Sequence, residues 1–437
     1  MSYLVSKYKK LFPLGTFDAP EKITTWNQSH RLFALNQTKD QPSQQKLAPG
    51  LILKKGHIEF KKGFINYRCL EIDPKKREIR VLFENRGEYP VKVFEKKKQI
   101  LGLASLGYFY FTTNPKEDEV PAPKIKVNNL FIYQKKLYQL PVVDRTVVAV
   151  YQDGRVSLPF VKAKGKLKIG QKKFKWRGVK TLRQSCLSPD ELVVYTASVG
   201  RIIPYVDKVM GPGRLAKKVL TPKQGVVDLI VDYQEGKLRV VSIRKGGGSQ
   251  VTKGLMVFSG KEGLLKKVKK GDCLTKVSIN NLFPDQILDA VGIGPQLFQD
   301  KEKRLKQAIR EGHENDESLC NQPHEEGVKL ARAALVSLKD GRLVAVILDG
   351  IPQAGEIYPG VTPQELADFI FEKYPSAKRA VATDPGGSSK MVYQEEGKTV
   401  VFGNLYYLKY KYLKNGRLEF APNGRNGRKI VTMLGVF

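Results

Sequence analysis

From about residue 58 onward the chain falls into short apolar runs separated by turn residues, and the runs are rich in Val, Ile, Tyr and Phe. INYRCLEID (65–73), REIRVLF (77–83), YPVKVF (89–94), LGYFYF (106–111), NLFIY (129–133) and RTVVAVYQDGRVSLPF (145–160) read as strands. VDYQEGKLRVVSI (231–243) reads as a hairpin that bends at Glu235-Gly236. Helical spacing is rare and confined to the C-terminal third, at KEKRLKQAIREGH (301–313) and TPQELADFIFEKY (362–374). The second is the stronger. Thr362 can cap, Pro363 suits the first turn, Glu365 completes a capping box, and Leu366, Phe369, Ile370 and Tyr374 share one face. Residues 1–54, centred on WNQSHRLFALNQTKDQPSQQ, are polar and read as a poorly packed arm, leaving 55–437 as one large domain. The pattern predicts an α+β fold, a β-rich mixed-sheet domain with few helices and a strand–helix–strand unit near its C-terminus.

That unit carries the chemistry. ARAALVSL, then Lys339-Asp340-Gly341-Arg342, then LVAVILDG (343–350) reads as a hairpin, Asp-Gly being a strong two-residue turn signal. With Asp340 and Gly341 as the loop, Lys339 pairs with Arg342, and counting outwards sets Arg332 opposite Asp349. A loop, the capped helix and the apolar run RAVATD follow, and a crossover of this kind makes the two flanking strands parallel. Asp349 and Asp384 would then leave the sheet at one carboxyl edge, the edge where ligands bind in parallel arrangements. Immediately after Asp384 comes Pro385-Gly386-Gly387-Ser388-Ser389. Asp-Pro-Gly-Gly makes a turn readily, and its glycines also let an anion approach free backbone N–H groups while the serines add hydroxyl donors. Two carboxylates, an arginine and this loop at one edge form a candidate site for a phosphorylated ligand.

Charge widens the picture. The 437 residues hold 76 Lys+Arg against 43 Asp+Glu, a formal net charge of +33, and such a surface attracts polyanions: nucleic acid, phosphorylated glycans or anionic membrane surfaces. The four cysteines, Cys69, Cys186, Cys273 and Cys320, form no CxxC or Cys/His cluster and read as packing thiols. His30, His57, His313 and His324 are scattered, so no histidine-based metal centre is expected and no cofactor is specified. The opening MSYLVSKYKKLFPLG lacks the apolar core of a signal peptide, and no run of eighteen apolar residues marks a membrane span.

Other segments carry less. IRKGGGSQVTKG (243–254) has three glycines between basic residues but not the spacing of a phosphate-binding P-loop. KVMGPGRLAKKV (208–219) reads as a solvated basic face and HENDESLCNQPHEEG (313–327) as a surface loop without metal-ligand spacing. No RNA-recognition, KH or zinc-finger signature is present, so a nucleic-acid role rests on charge alone.

DAVGIGPQLFQD (289–300), ARAALVSLKDGRLVAVILDG (331–350), GVTPQELADFI (360–370) and TDPGGSSKMV (383–392) occur in an order and spacing that resemble the phosphodiester glycosidase family, which includes the N-acetylglucosamine-1-phosphodiester α-N-acetylglucosaminidase domain. Upstream, LGLASLGYFYFTTN (101–114) sits where the family has an Asn-Gly-x-Phe motif, and DELVVYTASVG (190–200) resembles a family strand, extending the likeness over about 58–437. Arg332, Asp349, Asp384, Gly386, Gly387, Ser388, Ser389, Gly107 and Phe109 match motif positions, and Arg428 matches the arginine of a C-terminal Glu-Arg pair. Leu106 replaces the motif asparagine, Pro385 the first loop glycine, Ala382 an asparagine, and Gly427 the glutamate.

The resemblance implies hydrolysis of sugar-1-phosphate diesters, with a glycan or cell-surface polymer as substrate, in a family whose members are often exported. It implies Asp384 as base or nucleophile, Asp349 as second carboxylate or orienter of Arg332, and Arg332, the Gly386–Ser389 loop and Arg428 on the phosphate. The replacements keep open an alternative, a member that binds anionic glycans or other polyanions through its basic surface without turnover.

Overall fold

The computed structural model describes residues 39–60, 63–107, 125, 127–178, 190–196, 221, 223–251, 254–280, 282–300, 302–303, 331–349, 360–385, 388–403, 406–407, 421–422 and 429–437. Phe109, Gly386, Gly387, Arg428 and most of the helix expected at 301–313 lie outside these residues.

Strands dominate, and they assemble into an eight-stranded, a seven-stranded, a six-stranded and a five-stranded sheet plus a two-stranded ribbon. Pairing among the described residues is antiparallel throughout except between Lys172–Gly178 and Glu191–Tyr195, which makes the architecture mixed. The sheets stack by their apolar faces. One core, including Leu53, Leu70, Val81, Phe131, Val148, Leu335 and Ile347, is shared by the eight-, five- and six-stranded sheets. A second, including Leu130, Val147, Phe174, Trp176, Leu229 and Phe258, joins the six- and seven-stranded sheets. On the outer face of the eight-stranded sheet, Ala334, Val336, Val346 and Leu348 pack against the helix Pro363–Lys373.

That helix forms as its sequence dictates. Glu365 N–H donates to Thr362 Oγ1 at 3.1 Å and Thr362 N–H donates to Glu365 Oε2 at 2.7 Å, closing the capping box. Leu366, Ala367 and Ile370 are buried below. The strands Leu343–Leu348 and Ala377–Ala382, which the helix connects, both run antiparallel to Arg332–Leu338 between them and are therefore parallel to each other. The hairpin at Glu235-Gly236 also forms, both residues taking positive φ between Gln234 and its partner Lys237.

Two expectations fail for physical reasons. YPVKVF is not a strand: Pro90–Lys96 is a helix that begins on a proline, whose fixed φ suits a first turn. Its alternating Val91 and Val93 mimic a strand, yet Pro90 with Val93 and Val91 with Phe94 are i, i+3 pairs, and all four are buried. The polar arm also ends earlier than expected, since Ser43–Ala48 and Leu51–Phe60 already belong to the eight-stranded sheet. Ser43–Ala48 is an exposed polar edge strand, which explains its resemblance to an unstructured segment, while Leu51 and Leu53 alternate into the core.

Cys69 lies in the strand Gly63–Ile72, fully buried, and burial pushes its thiol pKa up to about 12. The thiol is expected to resist iodoacetamide in the native protein at pH 8 and to react once urea unfolds the chain; peptide mass spectrometry at Cys69 reads the result. Thr362→Ala, which removes the cap, is expected to cost about 1 kcal/mol in urea unfolding.

Candidate active site

Three backbone segments deliver the expected side chains to one edge of the eight-stranded sheet. The hairpin that precedes them differs by one residue from the sequence-based expectation. Leu338 N–H donates to Arg342 O at 2.9 Å and Gly341 N–H to Leu338 O at 3.1 Å, so the loop holds three residues, Lys339, Asp340 and Gly341, with Gly341 at φ +89°. A three-residue loop with glycine in the left-handed region is the next commonest hairpin connection. Asp340 accepts from Arg342 N–H at 3.0 Å and Arg342 Nε at 2.7 Å, which steadies the turn.

The extra residue shifts the register. Arg332 stands opposite Leu348, not Asp349. Side chains alternate across a sheet, so a one-residue shift moves a neighbour to the other face. Arg332 continues the series of Ala334 and Val336 toward the helix; it is 1% exposed, and its Nε donates to Val361 O at 2.7 Å. Asp349 continues the series of Ala345 and Ile347 on the opposite face, and its N–H donates to Asn66 O at 3.0 Å. The expected Arg332–Asp349 cross-strand pair is therefore corrected.

The other neighbour supplies a carboxylate. Ala334 pairs with Ala382, and the ladder runs one rung further because Thr383 N–H donates to Ala333 O at 2.9 Å. Asp384 follows immediately, just past the last paired residues of this ladder. Asp349 and Asp384 thus emerge at the same sheet edge, from the C-terminal ends of two parallel strands, with Arg332 at the N-terminal end of the strand between them. Both aspartates are half-buried and keep a solvent-facing side.

Backbone hydrogen bonds tie the Asp384 loop to the five-stranded sheet. Asp384 N–H donates to Leu106 O at 3.1 Å, and Lys390 N–H to Ser105 Oγ at 3.1 Å. Ser389 is fully buried, and its Oγ contacts Ala331 O at 3.2 Å and Asp384 O at 3.3 Å. That hydroxyl holds the loop against the start of the Arg332 strand. Ser388, also fully buried, donates its N–H to Pro385 O at 3.4 Å. Gly107 is drawn in through Leu106, and its N–H donates to Thr432 Oγ1 at 2.9 Å. A Cβ at Gly107 would come within 2.7 Å of Val291 Cγ2, so the close approach requires glycine.

Two positions where the resemblance expects an asparagine are buried apolar residues. Leu106, in place of an asparagine, is fully buried in the shared core, and Ala382 is buried beneath the helix while its N–H donates to Pro295 O at 2.9 Å. Neither side chain can offer a polar group to the site. Sequence reasoning missed Thr432, the Val361 carbonyl and Asn66, whose roles are set by distant strand pairing. It also missed Lys390, which directly follows the serines and is fully buried. Its signal was a cation directly before the apolar run Met391-Val392-Tyr393. Among the described residues no group of three or more His, Cys, Asp or Glu is placed to hold a metal ion.

A family model described as phosphodiester glycosidase matches residues 223–437, the part that contains Arg332, both aspartates and the loop. A protein of Synechocystis superposes with a TM-score of 0.54 at 13% identity, over 90% of this chain and 63% of that one, so this chain spans less than two thirds of that protein's length. A protein of Burkholderia pseudomallei superposes with a TM-score of 0.50 at 16% identity, over 85% of this chain and 74% of that one. These two likenesses establish the fold. The catalytic domain of zebrafish N-acetylglucosamine-1-phosphodiester α-N-acetylglucosaminidase gives a TM-score of 0.42 at 12% identity, over 91% and 87% of the two chains. No curated protein matches the chain in sequence.

Two substitutions test the tie between Gly107 and the loop. Gly107→Ala forces Val291 and Thr432 apart and is expected to cost about 1–3 kcal/mol of stability. Thr432→Val leaves the Gly107 N–H buried without its acceptor, at a cost of about 1–3 kcal/mol. Urea unfolding measures both.

Proposed function

We propose that this chain, whose residues 223–437 belong to the phosphodiester glycosidase family, hydrolyses glycosyl phosphodiester bonds at the sheet edge formed by Asp349, Arg332 and Asp384. The supporting observation is the emergence of both half-buried aspartates at one edge, flanking the buried arginine.

The bond to be broken sets modest demands. The leaving group is a phosphate monoester, whose second pKa is about 6, so it departs more readily than the sugar alkoxide released in ordinary glycoside hydrolysis. Positive charge or N–H groups on the phosphate, and a carboxylate at the sugar carbon, are the main requirements. Asp384 takes the carboxylate role, activating water or stabilising the developing oxocarbenium centre. Its backbone is fixed by Leu106 O and by Ser389 Oγ, so its position is settled before substrate arrives.

Arg332 supplies positive charge from an enclosed position. Its Nε bond to Val361 O fixes the guanidinium plane, and enclosure strengthens its field. The backbone N–H groups of Gly386 and Gly387, with Arg428, complete the phosphate site in this proposal. Ser389 is assigned to positioning the loop, since its hydroxyl already contacts two carbonyls. Asp349, on the face of Asn66, is assigned to the edge as an accessory carboxylate and not as the orienter of Arg332.

One observation favours a second reading, a binder without turnover. The position of the family's motif asparagine is held by Leu106, whose side chain is buried in the core.

Asp384→Asn is expected to lower kcat on a panel of sugar-1-phosphodiesters by about 10²–10⁴-fold while leaving the melting temperature unchanged. The same assay, run with and without a chelator, separates the readings. Turnover that survives Asp384→Asn removes the proposed role, and saturable binding with no turnover by the natural chain establishes the binder.

A further inference from the structure

The strands Lys164–Ile169 and Lys172–Gly178 form an antiparallel ribbon in the seven-stranded sheet, far along the chain from Asp384. Their register pairs Lys164 with Arg177, Lys166 with Lys175, and Lys168 with Lys173. Leu167, Ile169, Phe174 and Trp176, the alternate residues, are buried in the core beneath. The outward face of the ribbon is therefore three successive rungs of cation opposite cation, about 7 Å apart along the strands and about 5 Å across each rung.

The fold gains nothing from this arrangement, because like charges directly opposite each other weaken strand pairing. Lys164, Lys166, Lys173 and Lys175 are exposed and, among the described residues, none is in an ion pair, although Glu191 of the next strand stands opposite Lys175 in the register. That glutamate's ion pair is with the end rung, where Arg177 Nε meets Glu191 Oε2 at 3.0 Å. On the adjoining strand Leu274–Ile279, Thr275 pairs with Lys168, setting a hydroxyl beside the charges, while Ser278, paired with Lys166, accepts from Lys166 N–H through its Oγ at 3.2 Å.

We propose that the Lys164–Arg177, Lys166–Lys175 and Lys168–Lys173 ladder is a docking surface for a linear glycan whose sugars are joined through phosphate. The identity of the polymer rests on the hydrolase reading of the Asp384 edge; the docking surface itself rests on the ladder. Three features select this partner. Repeating cationic rungs match a repeating anion better than a single phosphate. The ribbon's aromatic side chains, Phe174 and Trp176, are in the core, so the face lacks the stacking platform that binds single-stranded nucleic acid. Its charges are mainly lysine ammoniums, which attract phosphate as point charges and lack the forked geometry that arginine uses to read base edges.

The test uses the full chain carrying Asp384→Asn, so that polymer stays intact, with and without Lys164→Gln, Lys166→Gln, Lys173→Gln and Lys175→Gln together. The probes are a linear phosphodiester-linked glycan, an uncharged glycan of equal length, and duplex DNA of equal phosphate number. Binding is measured by fluorescence anisotropy across a salt series. The phosphodiester glycan is expected to bind and the uncharged one not. The four substitutions are expected to weaken binding about tenfold at about 100 mM salt and to reduce the slope of log K against log salt by about 3. The melting temperature should stay equal or rise, because opposed charges are removed. In the otherwise natural chain the same four substitutions should leave turnover of a small soluble diester unchanged.

Unchanged affinity and slope after the four substitutions overturn the proposal. So does duplex DNA binding more tightly than the glycan with the same dependence on the lysines, which reassigns the ladder to nucleic acid. Ladder-dependent glycan binding with no hydrolysis by the natural chain leaves the docking surface standing and removes the hydrolase reading. Hydrolysis of small diesters with ladder-independent binding does the reverse.

Discussion

The candidate site depends on the register of one short strand, Arg332–Leu338. It lies between two strands that both run against it, so their C-terminal ends meet its N-terminal end at a single edge. A strand has only two faces, and moving its pairing by one residue exchanges them. The three-residue loop Lys339–Gly341 sets that pairing on one side, and the Ala334–Ala382 rung sets it on the other. Arg332 is thereby turned toward the helix, while Asp349 is turned toward Asn66 on the opposite face. A two-residue loop would have produced a different site from the same residues.

Around that register the structure uses main-chain groups more than side chains. The carbonyls of Leu106, Val361, Ala331 and Ala333 accept from Asp384 N–H, Arg332 Nε, Ser389 Oγ and Thr383 N–H. Carbonyl acceptors do not depend on residue identity, so apolar Leu106, where the resemblance expects an asparagine, still holds the loop. The leucine side chain packs in the core while its carbonyl keeps the backbone connection to Asp384. Fold and chemistry are thus separable at this position, which is why two functional readings survive on one architecture.

The chain's charge is similarly divided. The chain carries a formal net charge of +33, and in the ribbon Lys164–Gly178 alternation sorts every second residue outward and antiparallel pairing brings the outward cations face to face. The same alternation puts Phe174 and Trp176 inside, so one strand pair supplies a core layer and a charged surface. The ladder and the acidic edge occur on different sheets of the molecule.

The sequence by itself determined the strand-rich class, the capped helix, the Glu235-Gly236 hairpin, and the parallel relation that brings Asp349 and Asp384 to one edge. Each follows from local rules: side-chain period, capping chemistry, turn residues and crossover topology. It misread YPVKVF, because a proline-led helical turn and a short strand share that apolar pattern. It also placed Arg332 opposite Asp349, because Asp-Gly serves both two- and three-residue loops. Only the tertiary structure decided the register of Arg332, the contacts of Ser389, the burial of Leu106 and Lys390, and the pairing of lysines into a ladder. The contacts of Ser389 and the burial of Leu106 and Lys390 depend on which segments from elsewhere in the chain pack alongside, which leaves no local trace; Arg332 and the ladder lie in hairpins of neighbouring strands, whose alignment is set by the turns at Lys339–Gly341 and Gly170-Gln171.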